Sequence, residues 1–197
     1  RGKETMVASD QGYNIVLSLE FLLVFMFTLM YFHMDPPMAD HAIRRSRIHG
    51  AVLIFFTRLL GLALLAVGVS VKMFVVAVIQ EEMLPPFASR LMGISIGVAL
   101  TILFLLRVLH YGGRMPRPFD PPDVKLIMWC WWVVLGVLVL VPFGTAGLGW
   151  TDPVHVIAFY SGLVFLMTVL ESTATHILAP HLIVHDGQEG GSLLRQA

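Results

Sequence analysis

AVLIFFTRLLGLALLAVGVSVKMFVVAVI, residues 51–79, decides the fold class. A helix that crosses a bilayer needs ~20 predominantly apolar residues, and this stretch exceeds that with only Arg58 and Lys72 charged. Those two stand fourteen residues apart, which on a helix is ~21 Å and nearly the same face. Gly61, Leu65 and Gly68 fall between them on one stripe. Small residues let neighbouring helices approach closely. The span therefore reads as the central helix of a membrane bundle, with a cation at each depth and glycines between.

Four further segments of the same kind lie on either side: about 14–32, 91–109, 126–141 and 154–178. The connectors hold the helix breakers, Pro36-Pro37, Pro85-Pro86, Gly112-Gly113 and the glycines of 144–149. Composition agrees. The 197 residues are 57% hydrophobic and 13% charged, against about a quarter charged in ordinary soluble domains. The sequence predicts an all-α integral membrane bundle of five spans over 14–180. A short N-terminal segment (1–13) precedes it and a flexible tail (181–197) follows. The single cysteine, Cys130, excludes a disulfide framework or a four-cysteine zinc site within the chain. The chain opens on Arg1 without a secretory signal pattern, and reads as a fragment or processed product.

Five spans put alternate connectors on opposite sides. One side, X, holds 33–50, 110–125 and the C-terminal tail, with Arg44, Arg45, Arg47, Arg107, Arg114, Arg117 and Lys125 near span ends; the other, Y, has Arg1, Lys3 and Arg90. Lysine and arginine accumulate on the untranslocated side. X is therefore expected to face cytoplasm, stroma or matrix, with the N-terminus outside. Residues 37–49 form a candidate amphipathic helix on X, with His41, Arg45 and His49 on one face, suited to anionic headgroups. The patch is small and already explained by the positive-inside bias, so no nucleic-acid partner is expected.

Ionisable groups inside spans are costly and usually have partners or functions. Depth pairs Glu20 with Lys72, and Arg58 with Glu171. The plainer reading makes these charges packing pins or snorkelling side chains; the alternative is an ion or proton path, against which stands a mid-depth region of Leu, Val and Gly. Gly93 and Gly97 form a second small-residue face for a helix contact, and Arg107 and His110 beyond it are expected to snorkel. Seven of the eight histidines fall on X. Imidazole can ligate haem iron or chlorophyll magnesium, and His33, His49, His110 and His176, at the ends of four spans, are the candidate ligands. The plainer reading is histidine tolerated at headgroup level. His181 and His185, four apart, could grip a metal only with a third ligand. No phosphate loop, zinc-protease motif or nucleophile elbow is present, so no enzyme is expected.

The stretches LMYFHMDPPMADHAIRRSRIHG (29–50), LGLALLAVGVSVK (60–72) and IGVALTILFLLRVLHYGGR (96–114) resemble the later half of the low temperature requirement protein A family of multi-pass membrane proteins. His33 stands where that family tends to have an acid, Phe55–Arg58 replaces its His-Leu-Pro, and its first half is absent. The resemblance implies a membrane bundle rather than a reaction. Three functions fit the sequence. The first is a non-catalytic integral subunit of a larger complex, photosynthetic or respiratory, in a thylakoid or inner mitochondrial membrane, contacting lipids and other subunits. The second is a transporter or channel-like protein using Glu20, Arg58, Lys72 and Glu171. The third is a haem- or chlorophyll-binding protein with X-side histidine ligands.

Overall fold

The computed structural model describes residues 2–33, 47–111 and 120–193. They form five helices and, among the described residues, no strand: α1 (Gly2–His33), α2 (Arg47–Ile79), α3 (Pro86–Tyr111), α4 (Pro122–Ala146) and α5 (Pro153–Leu193). Each contains a segment long and apolar enough to cross a membrane, so the five-span bundle stands.

The helix ends follow from local chemistry. Three helices begin on proline, whose missing N–H is no loss at the first helical position. Asp152 caps α5, its carboxylate accepting from the N–H groups of Val154 at 2.9 Å and His155 at 3.4 Å. At the end of α2 the chain turns through Glu81 at φ 55°, and the Glu82 N–H reaches back to the Ala77 carbonyl at 3.0 Å. That is the Schellman closure, here without the usual glycine. α4 runs through Pro142 to Ala146, past the expected end at 141. α5 continues as helix to Leu193, into the segment read as a tail. Helix α1 likewise starts at Gly2, inside the segment read as preceding the bundle. Of the candidate surface helix at 37–49, only Arg47–His49 is described, as the first turn of α2; the rest lies outside the described residues.

The helices pack in a ring, α1 on α2, α2 on α3, α3 on α4, α4 on α5 and α5 on α1, and α3 also reaches α5. The centre is α3, not α2 as the stripe of glycines implies: 61% of its span is buried against 28% for α2. The reason is in the side chains. The buried face of α2 is a seam of Leu53, Leu60, Ala63, Val67, Ser70, Phe74 and Ala77, spaced alternately three and four with one sevenfold step. α3 instead buries Ala88, Met92, Ile96, Ala99, Leu100, Leu103 and Leu106 around much of its girth. Where α3 meets α4 and α5, glycine is required. A Cβ on Gly93 would lie 2.8 Å from Ala146 Cβ and 3.0 Å from the Pro142 carbonyl, and one on Gly97 would lie 2.8 Å from the Phe143 ring.

Short links tie the same-side loops together. The Leu84 N–H donates to the Thr151 carbonyl at 2.9 Å, joining the α2–α3 and α4–α5 turns at the Y end. Ser161 Oγ donates to the Leu19 carbonyl at 3.0 Å, fastening α5 to α1.

Candidate functional site

The buried stripe of α3 ends in a charge. Met92, Ile96, Leu100 and Leu103 point inward at helical spacing, and Arg107, four residues on, continues the same line. Helix α5 does the same: Val156, Tyr160, Val164 and Met167 lead to Glu171. The two stripes converge near the X end, where Arg107 Nη1 and Glu171 Oε1 form an ion pair with both side chains almost wholly buried. The Arg107 guanidinium lies 3.7 Å from the centroid of Trp131 of α4, an arrangement that the ring quadrupole favours. Trp131 packs on Trp132 with centroids 5.3 Å apart, and Trp132 meets Phe104 of α3 edge-on at 5.3 Å. Three helices thus close around one cation.

Two further polar groups stand at the rim. His33, the last residue of α1, reaches Ser172 Oγ of α5 through Nε2 at 3.5 Å. Beside the ion pair, Met30, Leu100, Leu135 and Met167 enclose about 10 Å³ of free space. A single water needs at least ~10–15 Å³, so this space holds one water at most.

The expected pairing of Arg58 with Glu171 is not made: Glu171 takes Arg107, which was expected to snorkel. Depth along the helix is right for Arg58, but its bearing is not, because the α2 seam of Leu53, Leu60 and Ala63 turns inward and leaves Arg58 exposed. Lys72 is exposed on the same outer side. Glu20 sits on the buried line of α1 between Val16 and Leu23, 8% exposed. Among the described residues it forms no ion pair with Lys72, and its Oε1 has no hydrogen-bond partner. The signal that could have found the true pair was periodicity rather than depth: Arg107 and Glu171 each extend an inward apolar stripe, and Arg58 does not.

The four glycines divide. Gly93 and Gly97 make the close contacts expected of them. Gly61 and Gly68 do not, since a Cβ on either would meet nothing within 4 Å; they line an outward groove between α1 and α2. Of the candidate histidine ligands, His33, His49 and His176 are exposed near the X end. His110 lies in the last turn of α3 with its side chain outside the described residues, as are those of His181 and His185. Among the described residues no group of three or more His, Cys, Asp or Glu is placed to hold a metal ion.

At the Y end Tyr160, fully buried, shares a hydrogen bond with Thr145 at 3.2 Å. In the first turn of α5, His155 Nδ1 lies 2.5 Å from Oδ2 of the capping Asp152. Partial burial pushes the Asp152 carboxyl up. Hydrogen bonds from the His155 ring and from two backbone N–H groups, with the nearby His155 charge, outweigh it and hold the group below the usual carboxylate range.

No family model, curated protein or solved structure matches this chain. The likeness to the low temperature requirement protein A family thus rests on the quoted motifs alone.

Proposed function

We propose that this chain is a non-catalytic, multi-pass subunit of a larger membrane assembly, and that its intramembrane charges serve packing rather than transport. One observation carries the reading. The ion pair near the X end, Arg107 with Glu171, is almost wholly buried, with the guanidinium resting on Trp131 and apolar side chains beside it. The other two cations of the spans, Arg58 and Lys72, stand on the outside. An ion path strings polar groups through successive depths of the bundle interior; here the interior is mainly Leu, Ile, Val, Met, Ala and Phe, and of its buried hydroxyls Ser70 and Thr168 donate within their own helices while Ser161 fastens α5 to α1. The positive-inside rule supports X on the untranslocated side even with Arg107 removed from the tally, since Arg44, Arg45, Arg47, Arg114, Arg117 and Lys125 remain against Arg1, Lys3 and Arg90.

Gentle extraction from native membrane tests the reading. The chain should migrate in an assembly larger than one copy with its micelle and bring other membrane proteins with it. A single copy, free of partners, would overturn the proposal.

A second reading, a proton- or ion-translocating protein, has one observation behind it: the buried Glu20 carboxyl with an oxygen that no described group satisfies. Vesicles reconstituted with the chain would show a flux that Glu20→Gln abolishes. Absence of flux, or equal flux from the variant, would remove it.

A further inference from the structure

Glu20 stands two residues from the middle of the span Gln11–His33, so within ~3 Å of its mid-depth. Its side chain follows the buried line of α1. Val16 and Leu23, about one turn to either side, are wholly buried, and Glu20 itself is 8% exposed. The carboxyl therefore sits in the dry middle of the bundle and not at a headgroup level. An ionised carboxylate in such a place requires a cation or several hydrogen-bond donors.

Two helices pack against α1, namely α5 and α2, and neither supplies the cation. On α5 the level is marked by Ser161, whose Oγ meets the Leu19 carbonyl. Glu171, paired with Arg107, lies ten residues beyond Ser161 and so ~15 Å nearer X. His155 lies six residues before it, ~9 Å nearer Y, exposed and held by Asp152. On α2, Lys72 matches Glu20 in depth, but both it and Arg58 are exposed on the outer side. Neither forms an ion pair with Glu20 among the described residues. On α1 itself the nearest titratable side chain is Tyr13, two turns nearer Y and exposed, and His33 stands at the X rim.

The hydrogen-bond donors are spent as well. Of the buried hydroxyls on α2 and α5, Ser70 donates to the Ala66 carbonyl at 2.7 Å, Ser161 to Leu19 at 3.0 Å and Thr168 to Val164 at 2.8 Å. Tyr160 meets Thr145. Glu20 Oε1 is buried with no hydrogen-bond partner among the described residues.

We propose that Glu20 is a proton-binding site, its carboxyl carrying a proton at neutral pH. A proton on one oxygen cancels the charge without any further ligand. A metal cation takes several ligands at once, and among the described residues no group of three or more His, Cys, Asp or Glu is placed to hold one. The site does not depend on flux. A proton held in place is compatible with a packing subunit, and one that exchanges between the two sides is what the translocation reading requires.

Infrared spectroscopy of the full chain tests the proposal, in vesicles of ether-linked phosphatidylcholine, a lipid with no ester carbonyl to mask the region. A protonated carboxyl has a C=O stretch that an ionised carboxylate lacks. Carboxyls in water are ionised well above ~4, so at pH 7 the wild-type chain should show this band on account of Glu20. Glu20→Gln, which copies the size and neutrality of the acid, should remove it. Lys72→Leu should leave it unchanged. Absence of the band from the wild-type chain at pH 7 would overturn the proposal, as would a band of full intensity in Glu20→Gln. So would a band that appears only in Lys72→Leu, which would show Glu20 ionised beside that ammonium.

Discussion

Glu171 and Glu20 are both carboxylates buried in the bundle, on helices that pack against each other, and they could hardly be kept more differently. Glu171, near the X end, faces a guanidinium that itself rests on Trp131. Glu20, in the Y half of α1, is placed by the same kind of inward stripe and meets no described partner at Oε1. The difference teaches that an inward register delivers a polar group to the interior regardless of whether anything awaits it. The X end is a designed contact among α3, α4 and α5. The Y end is held by hydroxyls and turns, Tyr160 with Thr145, Ser161 with Leu19 and Leu84 with Thr151.

Breaking the X-end contact should have the largest effect. Arg107→Leu leaves Glu171 buried without its cation, and loss of one partner of a buried pair costs ~3–5 kcal/mol. Thermal unfolding in mild detergent should show a large drop. Arg107→Leu with Glu171→Leu should recover most of it, because an apolar replacement of both partners is often neutral or better. If the double variant is as unstable as the single, the ion pair is not what holds α3 to α5.

The glycines give the same comparison in the language of volume. Gly97→Leu must push into the Phe143 ring, and overpacking of this kind costs ~1–3 kcal/mol. Gly61→Leu, on the groove wall, should leave the melting temperature where it is. Equal losses at both positions would mean that the α2 glycines face something the bundle does not contain.

How much of this the sequence disclosed depends on which property the argument needed. Span number and helix type were legible because ~20 apolar residues between breakers have few other homes. Gly93 and Gly97 were legible as packing residues. The choice of central helix and of ion pair was not. Both require the angle at which each helix faces its neighbours, and Arg58 shows why. Matched in depth to Glu171, it is turned outward by an α2 seam that only the assembled bundle reveals as the buried one. The stripe that made α2 look central, Arg58, Gly61, Leu65, Gly68 and Lys72, is exposed at every position. The groove beside it lies between α1 and α2, which no single-helix pattern encodes.

Replacing Glu20 sharpens the contrast with a change of sign. A buried polar group left unsatisfied costs ~1–3 kcal/mol, so Glu20→Leu should be neutral or raise stability by about that amount, where Arg107→Leu lowers it. A loss above ~1 kcal/mol, well beyond the effect of an ordinary neutral substitution, would show that Glu20 has a partner in the working protein and would strengthen the translocation reading.

The smallest effect belongs to Asp152, a third carboxylate, placed at the watery Y surface instead of inside. Its folded state holds it below the usual range. The stability it contributes is therefore complete above the unfolded carboxylate value of ~4 and is lost as pH falls through the lower folded value. Its side chain is 53% exposed, so solvent screening keeps the charge term to a few tenths of a kcal/mol. Asn still caps a helix, so Asp152→Asn keeps most of the N-terminal hydrogen bonding and removes mainly the charge opposite His155. Stability at pH 7 should fall by less than ~1 kcal/mol, and the gap between variant and wild type should narrow as pH drops below ~4 and close only at a pH below the folded carboxylate's own value. A gap that persists at that pH would assign the loss to hydrogen-bond geometry in the cap and not to the carboxylate's charge.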